Sequence, residues 1–159
     1  MRNKDSFKMA QLMENMGINR KTTVSKENLK YGLAPWVGEN PLILILGTLP
    51  GDISIKTQAY YQNKGRNSFW KIMHALWPND ASLSDEDFVK KHHIALWDCL
   101  HSAERMGSTD DNFGESMIPN DLQDFLNNHT SIRTIILNGT KDTTDFFFNT
   151  FGRFIKSVK

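Results

Sequence analysis

Leu42-Ile43-Leu44-Ile45-Leu46 is an unbroken apolar run that stops at Gly47. A strand with one face in water alternates polar and apolar side chains. A short run without that alternation is a strand covered on both faces, as at the centre of a parallel sheet. Ile94 to Trp97 and Ile132 to Leu137 read as two further strands, and Phe154 to Val158 as a fourth. Helical spacing lies between them. Phe69, Ile72, Met73 and Leu76 fall at i, i+3, i+4 and i+7, ahead of the breaker Pro78. Ser84 and Asp87 resemble a capping box opening a helix that runs to about Lys91. Pro119 and Asn120 introduce a helix carrying Leu122, Phe125 and Leu126, and Thr140 to Thr150 forms another around Phe146, Phe147 and Phe148. Ser102 to Met117 reads as a polar loop. The order β-α-α-β-α-β-α-β predicts an α/β fold: three layers, α/β/α, with a short, mainly parallel four-stranded sheet.

A chain of 159 residues suits one such domain. Residues 1–30 read as an extension, with a short helix through Phe7, Ala10, Leu12, Met13 and Met16 closed by Gly17, then a polar linker. The domain is expected over 31–159. At 39% hydrophobic and 23% charged residues, the composition is that of a soluble globule. The longest apolar run is far too short to span a bilayer, so no membrane partner is expected. One cysteine, Cys99, excludes an intrachain disulfide framework and a cysteine-rich zinc site. His92, His93, His101 and His129 lack metal-ligand spacing with carboxylates or Cys99. No metal and no cofactor are expected, and a cytoplasmic monomer fits.

Lys and Arg total 19 against 18 for Asp and Glu, so net charge alone does not mark a nucleic-acid binder. Its distribution is more informative. Ile53 to Asn79 holds no carboxylate, yet contains Lys56, Lys64, Arg66 and Lys71, interleaved with Tyr60, Tyr61, Phe69, Trp70 and Trp77. Cations beside aromatic faces suit phosphates and bases together. A solvated face over core aromatics would give the same composition.

Right-handed crossovers bring the strand-end loops of such a sheet to one edge, where ligands bind. Four segments would meet there: Gly47-Thr48-Leu49-Pro50-Gly51, Asp98 onward, Asn138-Gly139, and whatever follows Val158. The first is either a structural turn or one that lets a ligand approach the backbone; it lacks the Gly-Lys-Ser/Thr of a phosphate loop. Asp98 could accept a ring N–H from a bound base, or serve as a turn residue. Tyr60-Tyr61-Gln62-Asn63-Lys64-Gly65-Arg66-Asn67-Ser68-Phe69-Trp70 combines rings, amides and cations at a helix start, where Asn67 or Ser68 could also act as the cap. Neither Ser108 nor Cys99 has a nucleophile signature.

In this order, these motifs resemble the uracil-DNA glycosylase superfamily, closest to the hypoxanthine-DNA (deoxyinosine) glycosylases beside the mismatch-specific uracil glycosylases. Ile45 to Gly51 is similar to the first motif. Tyr60-Tyr61, Asn63 and Arg66 to Trp70 are similar to the branch's "YY-x-N-P-R-N-x-F-W" segment. Ala95 to Asp98 with Gly107 to Asp110, and Ile136 to Gly139, match two further blocks. The resemblance implies removal of a deaminated base from DNA, hypoxanthine first and uracil or a G:T/U mismatch second. It implies Asn67 as the catalytic amide, with Asn63 near it. Gly47, Thr48, Leu49, Pro50, Gly51, Tyr60, Tyr61, Arg66, Phe69, Asp98 and Asn138 would contact base or DNA. Leu49 stands where mismatch-specific relatives carry a water-activating Asn, and Lys64-Gly65 where the branch has a single Pro. The superfamily's Pro-Ser loop should follow the fourth strand, and the sequence reaches Lys159 first. The domain is therefore expected to be truncated, with weak or absent cleavage. The alternatives are an inactive DNA-binding remnant of the same fold and a small-nucleotide-binding α/β domain.

Overall fold

Alternation along one strand sets the layers. The computed structural model describes residues 28–108, 113–139 and 141–155. In β3 (Ile43–Gly47), Leu44 and Leu46 join a cluster with Leu122, Phe125, Phe147 and Phe151. Ile45 faces the other way, into a cluster with Phe69, Trp70, Met73, Phe88 and Val89. Successive side chains of a strand point to opposite faces, so a strand apolar at every position must be covered twice. Helices α2 (Phe69–Leu76) and α3 (Asp85–Lys91) cover one face. Helices α4 (Leu122–Asn128) and α5 (Lys141–Ile155) cover the other. Leu44, Leu46 and Leu96 are fully buried, each contributing about 1.5–3 kcal/mol relative to exposure.

The central sheet has the order β2-β4-β3-β7. β3 pairs parallel with both β4 (Ile94–Asp98) and β7 (Thr134–Leu137). β2 (Trp36–Val37) closes the far edge antiparallel to β4. A second sheet, β1-β5-β6, is wholly antiparallel. It comprises β1 (Leu29–Tyr31), β5 (Leu100–Arg105) and β6 (Phe113–Pro119). The fold is therefore α/β with mixed pairing rather than one mainly parallel sheet, and the expected strands are corrected in two places. The segment read as a loop from Ser102 forms most of the β5–β6 pair; it was missed because buried Ser102 and Arg105 are polar and break the apolar alternation that would have marked β5. Phe154 and Ile155, read as the start of a fourth strand, continue α5.

Local signals explain the helix ends. Ser84 caps α3 by accepting the Asp87 N–H at 3.2 Å. Acidic residues fill the first turn of α3 and lysines the last, matching the helix dipole. Asp121 caps α4 through the Asp124 N–H at 2.9 Å. A further helix, α1 (Asp52–Thr57), follows the Gly47–Gly51 turn and lacked an apolar period to announce it. The short helix expected through Phe7 to Met16 lies outside the described residues. Among the described residues, no helix is long and apolar enough to cross a membrane.

Candidate functional site

Parallel register decides what meets at the carboxyl edge. Gly47 lies opposite Asp98, and Leu46 opposite Leu137, so the residues leaving β3, β4 and β7 emerge side by side. A cavity of about 400 Å³ opens there, within the ~300–1,000 Å³ usual for small-ligand sites. Its walls include Gly47, Thr48, Leu49, Pro50, Gly51, Tyr60, Tyr61, Asn63, Arg66, Asn67, Asp98 and Asn138. Of the residues that the family resemblance implied as catalytic or as contacts for base or DNA, all but Phe69 are among them.

Asp98 sits at the floor, 3% exposed. The glycine at 47 is required by this approach: a Cβ there would lie 2.4 Å from Asp98 Oδ1 and 3.5 Å from the Tyr61 hydroxyl. Burial, and then the charge of Asp98, push both the Tyr60 and Tyr61 hydroxyls well above the ordinary tyrosine range. Both remain neutral O–H groups. The Asn138 side chain partly opposes that rise at Tyr61.

The Tyr60–Trp70 segment is anchored from beneath. The Tyr60 hydroxyl donates to the Ala34 carbonyl at 3.1 Å, and Trp70 Nε1 donates to the Tyr60 carbonyl at 2.9 Å. The Gln62 N–H donates to buried Ser54 Oγ at 3.1 Å. Tyr61 adopts a left-handed backbone (φ 59°), a conformation that costs energy in a residue with a side chain. Its ring stacks on Phe69, centroids 4.0 Å apart. Phe69 is thus a buried support behind Tyr61, not a wall of the cavity.

Asn67 is fixed at the mouth. Its N–H donates to the Asn63 carbonyl at 2.7 Å. Its side-chain oxygen accepts the Phe69 N–H at 2.8 Å, capping the start of α2. That bond orients the carboxamide, so the NH₂ is the donor Asn67 can offer a ligand. Ser68, the other expected cap, makes no side-chain capping bond. Arg66 is exposed beside it.

Five participants were not assigned to the site from the sequence. Asp52, Ser54 and Ser108 also line the cavity. The Ser108 hydroxyl accepts the Asp52 N–H at 3.0 Å, and Lys30 of β1 pairs with the Asp52 carboxylate and donates to the Gly107 carbonyl. Burial would raise the Asp52 carboxyl, but the Lys30 and Ser108 hydrogen bonds and the Lys30 and Arg105 charges hold it below the usual carboxylate range. The fifth is Arg105, fully buried under the Leu49-Pro50 step. The adjacency of Asp52 to the Gly47–Gly51 turn was the one available signal; Lys30, Ser108 and Arg105 depend on β1 and β5 being placed. Among the described residues, no group of three His, Cys, Asp or Glu side chains could hold a metal ion.

Two curated proteins are similar to this chain. A hypoxanthine DNA glycosylase of Methanosarcina acetivorans is 39% identical over 117 residues, covering 71% of this chain and 73% of that protein. One of Methanosarcina barkeri is 32% identical over 116 residues, covering 70% and 72%. A solution NMR structure of a candidate uracil DNA glycosylase from Methanosarcina acetivorans superposes with a TM-score of 0.63 at 33% identity, covering 80% of this chain and 79% of the other. No protein-family model matches the chain.

Proposed function

This chain belongs to the hypoxanthine DNA glycosylase branch of the uracil-DNA glycosylase superfamily, and from that premise we propose that it hydrolyses the N-glycosidic bond of a deaminated base in DNA. Hypoxanthine is the favoured base, with uracil or a mispaired pyrimidine second. One observation carries the reading: a buried carboxylate, Asp98, and an oriented amide, Asn67, line one base-sized cavity. Deamination converts a ring nitrogen from acceptor to N–H donor and its neighbouring amino group to a carbonyl. An acceptor at Asp98 and a donor at Asn67 match that N–H and carbonyl. Against adenine, the carboxylate would face a lone pair and the NH₂ another amino group.

The base must leave the stack to reach this depth, which costs least where pairing is already weak. As the glycosidic bond breaks, its electron pair departs with the base and cationic character builds on the sugar. Water then adds at that carbon. A donor on the base carbonyl stabilises the departing anion. Asn67 supplies that donor without titrating, and the neutral Tyr60 and Tyr61 hydroxyls add no negative charge beside it. The chemistry asks for no metal or redox group, and the reading includes a monomer acting in the cytoplasm.

Single-turnover cleavage of an inosine-containing duplex tests the assignment. Asn67→Asp keeps an oxygen for the Phe69 N–H but removes the donor, and should slow cleavage at least ~100-fold. Asp98→Asn should slow it about 10- to 100-fold, the effect of one hydrogen bond to a charged group. Native rates in both variants would contradict the roles given to these residues.

A further inference from the structure

We propose that Arg105, outside the cavity, is a positioning residue that sets the shape of the Gly47–Gly51 wall for catalysis; this rests on the glycosylase reading above. Five successive carbonyls of that turn are each held by a donor from within the protein. The Gly47 oxygen accepts from the Cys99 N–H at 2.9 Å, Thr48 from the Leu100 N–H at 3.0 Å, and Gly51 from the Ile55 N–H at 3.0 Å. The middle two, Leu49 and Pro50, have no such backbone donor among the described residues. Arg105 takes both: Nη1 donates to the Leu49 carbonyl at 3.0 Å and Nη2 donates to the Pro50 carbonyl.

Arginine is suited to this by its planar fork, which spans two acceptors at fixed geometry, whereas a lysine ammonium is a point donor on a flexible stem. The guanidinium is wholly buried, and its carbon lies 5.6 Å from the centroid of the Phe113 ring. Burying a charge is costly without such partners. It is an unusual expense for a turn that Leu49 already anchors in an apolar cluster with Leu100 and Ala103.

The consequence for the reaction follows from charge. The departing base carries the electron pair of the broken bond, so carbonyl oxygens turned toward it would oppose cleavage. Arg105 keeps two of them bound on the protein side of the wall, and it ties the antiparallel sheet to the reacting centre.

Arg105→Lys retains the charge and loses the fork. In a folded Arg105→Lys protein, amide hydrogen exchange over residues 47–53 should be faster than in the native chain. Single-turnover cleavage of inosine-containing DNA should fall about 10- to 100-fold, as for a small misplacement near reacting groups, with DNA affinity unchanged. In Arg105→Ala, added guanidinium ion should restore part of the rate where sodium or ammonium at equal concentration does not. If exchange and rate per folded molecule stay native in Arg105→Lys, the proposal is overturned. If the lysine variant fails to fold, the rescue decides alone: equal rates with guanidinium and ammonium overturn it. If the native chain cleaves no deaminated base, the glycosylase reading fails, whereas the exchange comparison still decides whether Arg105 orders the wall.

Discussion

Gly47 and Asp98 were both singled out from the sequence, but for different reasons, and their contact supplies a third. The sequence shows a glycine after a buried strand and a carboxylate after another; only the register brings Asp98 Oδ1 to where any Cβ at 47 would stand. Asn67 was legible as both a cap and a ligand-facing amide, and the two uses divide between its oxygen and its nitrogen. Tyr60 and Phe69 read as contacts for base or DNA. Both are nearly wholly buried, Tyr60 in the cavity wall and Phe69 behind Tyr61, because the same aromatic residues serve a hydrophobic core and a stacking surface equally well in sequence. Burial of the two tyrosines also makes stability pH-dependent. Their hydroxyls are held above the unfolded value of about 10. Above pH 10 the unfolded chain loses these protons while the folded one keeps them, so stability falls as pH rises. Denaturant midpoints should be level from pH 7 to 9 and drop beyond 10, and Tyr61→Phe should lessen the drop. A midpoint unaffected up to pH 11 would contradict the burial of a neutral hydroxyl there.

At the scale of elements, what the sequence announced was what one local rule determines. β3 follows from an apolar run, α2 from an i, i+3, i+4, i+7 period ended before Pro78, and α3 from the Ser84–Asp87 pair. β5 was missed because its inward positions include Ser102 and Arg105, polar residues whose partners lie elsewhere in the fold. β2 has two residues, too few for any period, and exists through pairing with β4. α5 runs on to Ile155 where a strand was expected, since Phe147 and Phe151, four residues apart, share a helical face toward the core. The site was therefore more legible than the fold around it. Its cavity collects the ends of the parallel strands, which are the strongly patterned ones, whereas the supports at Lys30 and Arg105 come from the weakly patterned second sheet.

Taken as a whole, the molecule is nearly neutral, yet Lys56, Lys64, Arg66 and Lys71 are all exposed on one carboxylate-free stretch that includes the cavity mouth. Among the described residues only Lys64 of these has an ion-pair partner, Asp85 at 3.5 Å. If these cations meet DNA phosphates, log affinity should fall with log salt by about 0.9 for each contact. Lys64→Glu with Arg66→Glu should weaken binding to any sequence and flatten the slope by up to about 1.8; a native slope near zero would contradict a phosphate-binding face. The central claim is narrower: the cavity distinguishes a base by its deaminated edge and cuts it from the sugar. The direct measurement is single-turnover cleavage by the native chain of two duplexes identical except for hypoxanthine or adenine at one position opposite the same base. Release of hypoxanthine with an abasic site left behind, and no detectable release of adenine, is the predicted result. Intact inosine duplex under enzyme excess, or equal release of both bases, would contradict it.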